Sequence, residues 1–164
     1  MQLTPIMQKF VLHWGEMGAR WGTIDTWWLR LEPTEGKYDW VFYEEWFKAA
    51  LAAGVVPIPH LFGVPRWISS RPEVDDYWAY PPRDWDVWER FVGDFVERYE
   101  DWLTYLRIWN EPNCGYWMGT PADYANLVIH AAQAAKRVKP DIQIIIEAVA
   151  NRHLNVIRFF DAVD

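Results

Sequence analysis

Apolar residues along this chain follow two rhythms. In some stretches they recur every third or fourth position, in others every second, and the rhythms alternate from one end to the other. The stretch TPIMQKFVLHWGEMG (4–18) opens like a helix, with Thr4 as N-cap, Pro5 at the first helical position and Gly18 as its stop. ARWGTIDTWW (19–28) then reads as a strand, with Thr23, Asp25 and Trp27 on one face. A turn-rich segment leads to a helical stripe of Phe42, Trp46, Ala49 and Ala53, closed by Gly54. VVPIPHLF (55–62) is a short apolar strand despite two prolines. Trp88, Phe91, Phe95, Tyr99 and Trp102 form the next helical stripe, which Asp84 can cap. LTYLRIW (103–109) is a strand. A helix capped by Thr120, with Pro121 in its first turn and Asp123 at the capping-box position, turns Tyr124, Leu127, Ala131 and Val138 inward and stops at Pro140. IQIIIEAVA (142–150) is a strand, and IRFFDAVD (157–164) starts another.

Strands alternating with helices predict an α/β fold, a parallel sheet with helices outside it. Residues 1–164 read as one domain, with no linker or low-complexity segment. In such folds ligands bind beyond the C-terminal strand ends. Those ends bring Trp27, Trp28, His60, Asn110, Glu111 and Glu147 into consideration. The loop 63–84 is longer than a plain connector needs and carries Trp67, Tyr77 and Trp78, which marks it as a candidate functional loop.

Composition narrows the chemistry. A net charge of -7 without a basic tract argues against nucleic acid or an anionic membrane as the main partner. No apolar run is long enough to span a bilayer. The single cysteine, Cys114, excludes an internal disulfide, and the histidines lack metal-ligand spacing, so neither metal nor cofactor is expected. Thirteen tryptophans suit either an aromatic core or a surface that stacks sugar rings.

RIWNEPN (107–113) places an amide and a carboxylic acid side by side where a buried strand ends. A glutamate at a partly apolar strand end can hold a proton at neutral pH, and Trp109 and Trp117 are candidates for that surround. Pro112 biases Glu111 away from helix, and the Asn110 amide can both donate and accept. Taken alone, Asn-Glu-Pro reads as an exposed turn.

The context changes that reading. RIWNEPN resembles the fourth-strand motif of clan A glycoside hydrolases, which are (β/α)8-barrel enzymes. GARWGTIDTWWLRLEPTEGKYDW is similar to their second strand and its loop, GVVPIPHLFGVPRW to the third, and PDIQIIIEAVA and FFDAVD to the fifth and sixth. The likeness is nearest to the β-xylosidase-like and cellulase-like branches. It implies a partial (β/α)8 TIM barrel that hydrolyses O-glycosidic bonds of oligo- or polysaccharides by a retaining two-carboxylate mechanism. By this resemblance Glu111 is the general acid/base, and Asn110 binds the hydroxyl next to the anomeric carbon. Trp28 matches the family's strand-two tryptophan; it and Trp67 are sugar platforms or core. His60 is a donor to a sugar hydroxyl or a hydrogen-bonded structural histidine. Asp25, Glu32 and Pro33 are expected to be structural, and Glu147 a subsite or structural group.

The chain departs from the family in two ways. Thr23 stands where many relatives carry arginine. The likeness also runs only from the first helix to the sixth strand, whereas a full barrel takes about 250 residues, and nothing matches the family's seventh-strand nucleophile. The chain is therefore expected to be part of a glycosidase. The alternative is a saccharide-binding protein that does not cleave, with self-association through its open barrel edges.

Overall fold

The computed structural model describes residues 4–146. Four strands, β1 (Trp21–Trp27), β2 (Val56–Phe62), β3 (Tyr105–Ile108) and β4 (Gln143–Ile146), form one sheet in chain order, and every neighbouring pair is parallel. Between and before them run α1 (Pro5–Glu16), the single-turn α2 (Trp28–Leu31), α3 (Val41–Ala52), α4 (Trp85–Tyr99) and α5 (Pro121–Val138). This is the α/β progression expected from the sequence, a partial (β/α)8 barrel. Glu147 and the strand expected at 157–164 lie outside the described residues.

The helix ends follow local chemistry. The Thr4 hydroxyl accepts from the Met7 amide, the Asp84 carboxylate accepts from the Asp86 amide, and Thr120 and Asp123 make a full capping box. On α3 the expected stripe is rotated. The most buried side chains are Phe42, Tyr43, Phe47 and Ala50, while Trp46, Ala49 and Ala53 are only half-buried. The Tyr43 hydroxyl is needed inside, where it accepts from the Trp27 amide at 2.9 Å and so ties α3 to the end of β1. Burial pushes that hydroxyl up to about 12.

The sheet has a helix side and an inner side. On β1, Gly22, Ile24 and Thr26 are buried against the helices, while Thr23 and Asp25 are exposed on the inner face. Gly22 has no alternative, since a Cβ there would lie 2.3 Å from the Trp14 ring of α1. The prolines of β2 are tolerated for a geometric reason. Alternate residues of a parallel strand address alternate neighbours: the Val56 amide bonds toward β1, whereas the Leu61 carbonyl accepts from Trp109 beyond β3. Pro57 and Pro59 share the parity of Leu61, so both missing donors fall on the β3 side. The β1–β2 ladder accordingly pairs along all of β1, from Trp21–Val56 to Trp27–Phe62, while β2–β3 pairs only at His60–Arg107 and Leu61–Ile108.

Outside the sheet lies an aromatic core centred on Trp28, which is fully buried. It stacks on Phe91 at 4.8 Å and packs against Trp88 and, edge-on, Trp67. Its indole N–H donates to the carboxylate of Glu32, itself fully buried. Glu32 also accepts from the Gly36 amide at 2.8 Å and from the Arg90 guanidinium at 2.6 Å. The Trp67 indole donates to the Glu32 carbonyl. One carboxylate thus fastens the loop after β1 to α4, the scaffold role expected of it. Removing one partner of a buried ion pair strands the other, so Glu32→Ala should destabilise the fold by about 3 kcal/mol in urea unfolding, and Glu32→Gln by less.

Candidate functional site

The C-terminal strand ends converge where β1 stops at Trp27, β2 at Phe62 and β3 runs into Trp109–Glu111. Trp109 and Glu111 both have positive φ, 63° and 36°. Left-handed backbone costs a bulky residue about 1–3 kcal/mol and persists only where the surroundings hold it. Here they do. The Trp109 amide donates to the Leu61 carbonyl at 2.9 Å, and its indole donates to the Tyr116 carbonyl at 2.9 Å. The Trp109 ring meets Trp117 edge-on, and Trp117 in turn donates to the Thr120 carbonyl at 3.0 Å. The Cys114 amide closes a turn onto the Glu111 carbonyl. Pro112 is buried, whereas Asn110 and Glu111 are half-buried with side chains partly in solvent.

Beneath this turn a polar row crosses the inner face, pairing Asp25 with His60 and His60 with Arg107. His60 is 2% exposed. Its Nε2 donates to the Trp109 carbonyl, and its Nδ1 lies 3.2 Å from Asp25 Oδ1. The bond with His60 holds the Asp25 carboxyl below its ordinary value, against partial burial and with help from the charges of His60 and Arg107. Thr23 lies exposed on this inner face; the cation of the polar row is Arg107, two strands away.

Above the row stands an aromatic wall. Trp27 packs on Phe62 at 4.1 Å and edge-on to Trp78, which meets Tyr116 at 5.9 Å. The long loop supplies Trp78, held by the Val64 amide on the Trp78 carbonyl and a short 3-10 turn at Tyr77–Ala79. Gly63 lets β2 end beneath the wall, because its φ is 79° and a Cβ would lie 2.5 Å from the Trp27 ring.

The structure brings His60 to the Trp109 carbonyl, next in chain to Asn110 and Glu111, and it moves the aromatic candidates. Trp28 sits in the helix-side core, where its fully buried ring offers no face to a sugar, and Trp67 is half-buried and packs edge-on against it. The buried His60 ring has its two nitrogens facing the Trp109 carbonyl and the Asp25 carboxylate. Trp78 and Tyr116 were not singled out from the sequence; the signal available was the aromatic content of the long loop and of the segment after Glu111. Among the described residues, no three of His, Cys, Asp and Glu converge as metal ligands. A shallow groove of about 390 Å³ between α4 and α5, lined by Glu89, Asp94 and Arg137 among others, belongs to the outer helical layer rather than the strand ends.

No family model and no curated protein matches the chain. Solved structures do. The chain matches the β-glycosidase BGL167 with a TM-score of 0.71 at 14% identity, over 98% of this chain and 50% of that one. A family 39 glycoside hydrolase from Bacteroides cellulosilyticus WH2 matches with a TM-score of 0.67 at 21% identity, over 85% of this chain and 28% of that one. A bacterial orthologue of human α-L-iduronidase matches with a TM-score of 0.65 at 20% identity, over 85% of this chain and 24% of that one. The fold is that of part of a (β/α)8-barrel glycosidase. The chain spans half or less of the length of each of these structures.

The Asp25–His60 pair has a pH signature. A carboxyl held below its unfolded value of 3.8 stabilises the fold above that pH, and the contribution is lost as pH falls through the lowered folded value. Asp25→Asn removes it, so parent and variant should differ in urea midpoint near neutral pH and converge once the pH has fallen through the lowered folded value. Glu44 and Glu89 are also held low and share the parent's acid limb, which makes the difference between the two curves the informative quantity.

Proposed function

We propose that this chain carries the acid/base half of a retaining glycoside hydrolase site, with Glu111 as proton donor and Asn110 as the group that orients the sugar. The observation that carries the reading is the left-handed turn at the end of β3, which sets an adjacent amide and carboxylic acid at the strand-end face of a barrel. The fold shared with glycosidases supports it. The chemistry needs an acid to protonate the leaving oxygen and a second carboxylate to attack the anomeric carbon from the other side. Glu111 serves as the acid, then as the base that activates water in the second step. The partner carboxylate comes from the opposite wall of the barrel, about 5–5.5 Å from Glu111 in a retaining pair. Asn110, able to donate and accept, holds the hydroxyl beside the anomeric carbon. Trp78 and Tyr116 are partly exposed and meet edge to face at 62°, and the open face of one of these rings is where a sugar ring stacks.

Glu111→Gln, made in a polypeptide that continues this segment into a complete barrel, should lose ~100- to 10,000-fold on ordinary glycosides. Aryl glycosides with very good leaving groups should keep much of their first-step rate, and azide should rescue the second step. Hydrolysis of unactivated oligosaccharides at the parental rate would remove Glu111 from the mechanism. Trp78→Ala should weaken oligosaccharide binding roughly tenfold and reduce the ligand-induced change in tryptophan fluorescence. Trp28→Ala should instead act on stability, and a Trp78→Ala variant with parental affinity would return the wall to packing.

A further inference from the structure

We propose that His60 is a positioning residue, whose Nε2–H grips the Trp109 carbonyl and so sets the direction in which Glu111 leaves β3, with Asp25 steadying the ring. The proposal rests on the reading of Glu111 as the acid/base. Four observations lead to it. The regular ladder between β2 and β3 ends with the Trp109 amide on the Leu61 carbonyl, and the left-handed conformation of Trp109 turns its own carbonyl to the His60 ring. Second, His60 is 2% exposed, so the ring has no solvent to fall back on if that bond is lost. Third, Asp25 lies in register with His60 and 3.2 Å from Nδ1, which fixes the rotation of the imidazole. Fourth, Glu111 follows Trp109 by two residues and is itself left-handed, so a change at Trp109 is carried directly into its placement. The same contacts explain why a histidine is used. A carbonyl can only accept, so the residue facing it must donate, and it must present a second polar atom to the neighbouring strand.

The test separates a clamp on this turn from general support of the fold. His60→Leu removes the donor and His60→Gln keeps one of similar reach. Hydrogen exchange followed by peptide mass spectrometry on the 164-residue chain reads the turn without any assay of activity. In His60→Leu, amides in 107–118 should exchange about tenfold faster while those of α4 and α5 hold their parental rates, and His60→Gln should recover most of the protection. In the complete barrel, His60→Leu should lower kcat about a hundredfold with KM within a few-fold, because a small misplacement of the acid acts on the transition state. Asp25→Asn, at the exposed end of the row, should show the same pattern with smaller amplitude and covers the case in which His60→Leu does not fold. Unchanged exchange in 107–118, or equal acceleration throughout the chain, overturns the proposal. So does a rise in KM at constant kcat, which would make His60 a sugar ligand. If Glu111→Gln retains parental activity while the exchange pattern is as expected, the acid/base reading fails and the clamp stands.

Discussion

The parallel register of β1 on β2 is the constraint from which the strand-end geometry follows. It pairs Asp25 with His60 and Trp27 with Phe62. Strand side chains alternate strictly, so a slip of one residue would turn Asp25 toward the helices and bring Ile24 to the inner face. The register is held from the helix side. Gly22 can meet Trp14 only as glycine, and Ile24 is fully buried under the helices. The Tyr43 hydroxyl then pins the last amide of β1. Two prolines on β2 leave this ladder whole because both withdraw their donors from the other side.

That asymmetry has a consequence at β3. All of β3 pairs with β4, but with so few ladder rows on its other edge β3 is joined to β2 by side chains as much as by backbone. Leu106 and Ile108 are buried on the helix side, and Trp109 and Trp117 interlock at its end. The His60 contact adds a polar tie across the inner face. Packing and polar contacts therefore set the strand's exit together. A strand with one sparsely paired edge can turn its end toward that edge, as the Trp109 carbonyl does toward His60.

Much of this was legible in the sequence. The rhythm of apolar positions gave the order of helices and strands, because each element buries one face and declares its period. Thr4, Asp84 and Thr120 marked helix starts through chemistry confined to a few residues. What the sequence concealed was long-range or depended on a one-residue phase. The two-residue period that turns Thr23, Asp25 and Trp27 to the inner face assigns Trp28, with Gly22, Ile24 and Thr26, to the helix side, so the second tryptophan of the pair goes to the core instead of the cleft. On α3 the apolar residues are so dense that several stripes fit, and the need to bury Tyr43 beneath β1 selects the face. His60 was visible as a polar residue at a strand end, but its acceptor is a backbone carbonyl 49 residues away, which no local pattern encodes. Trp78 and Tyr116 meet only because the long loop and the segment after Glu111 fold toward one another, joined by the Met118 amide on the Ala79 carbonyl.

The turn at Trp109–Glu111 runs against what stability alone would choose. Two non-glycine residues there occupy backbone that glycine adopts without strain. A glycine at position 109 would relieve one of them, but it would forfeit the buried indole, its bond to Tyr116 and its contact with Trp117. The tryptophan therefore compensates its own strain through burial. Glu111 has less to offset it, since it is half-buried and gains from its neighbourhood chiefly the turn closed by Cys114. A strained, partly exposed glutamate contributes little to packing that a smaller residue would not, so packing does not account for the strain at Glu111, and the proposed role as proton donor supplies a reason for it.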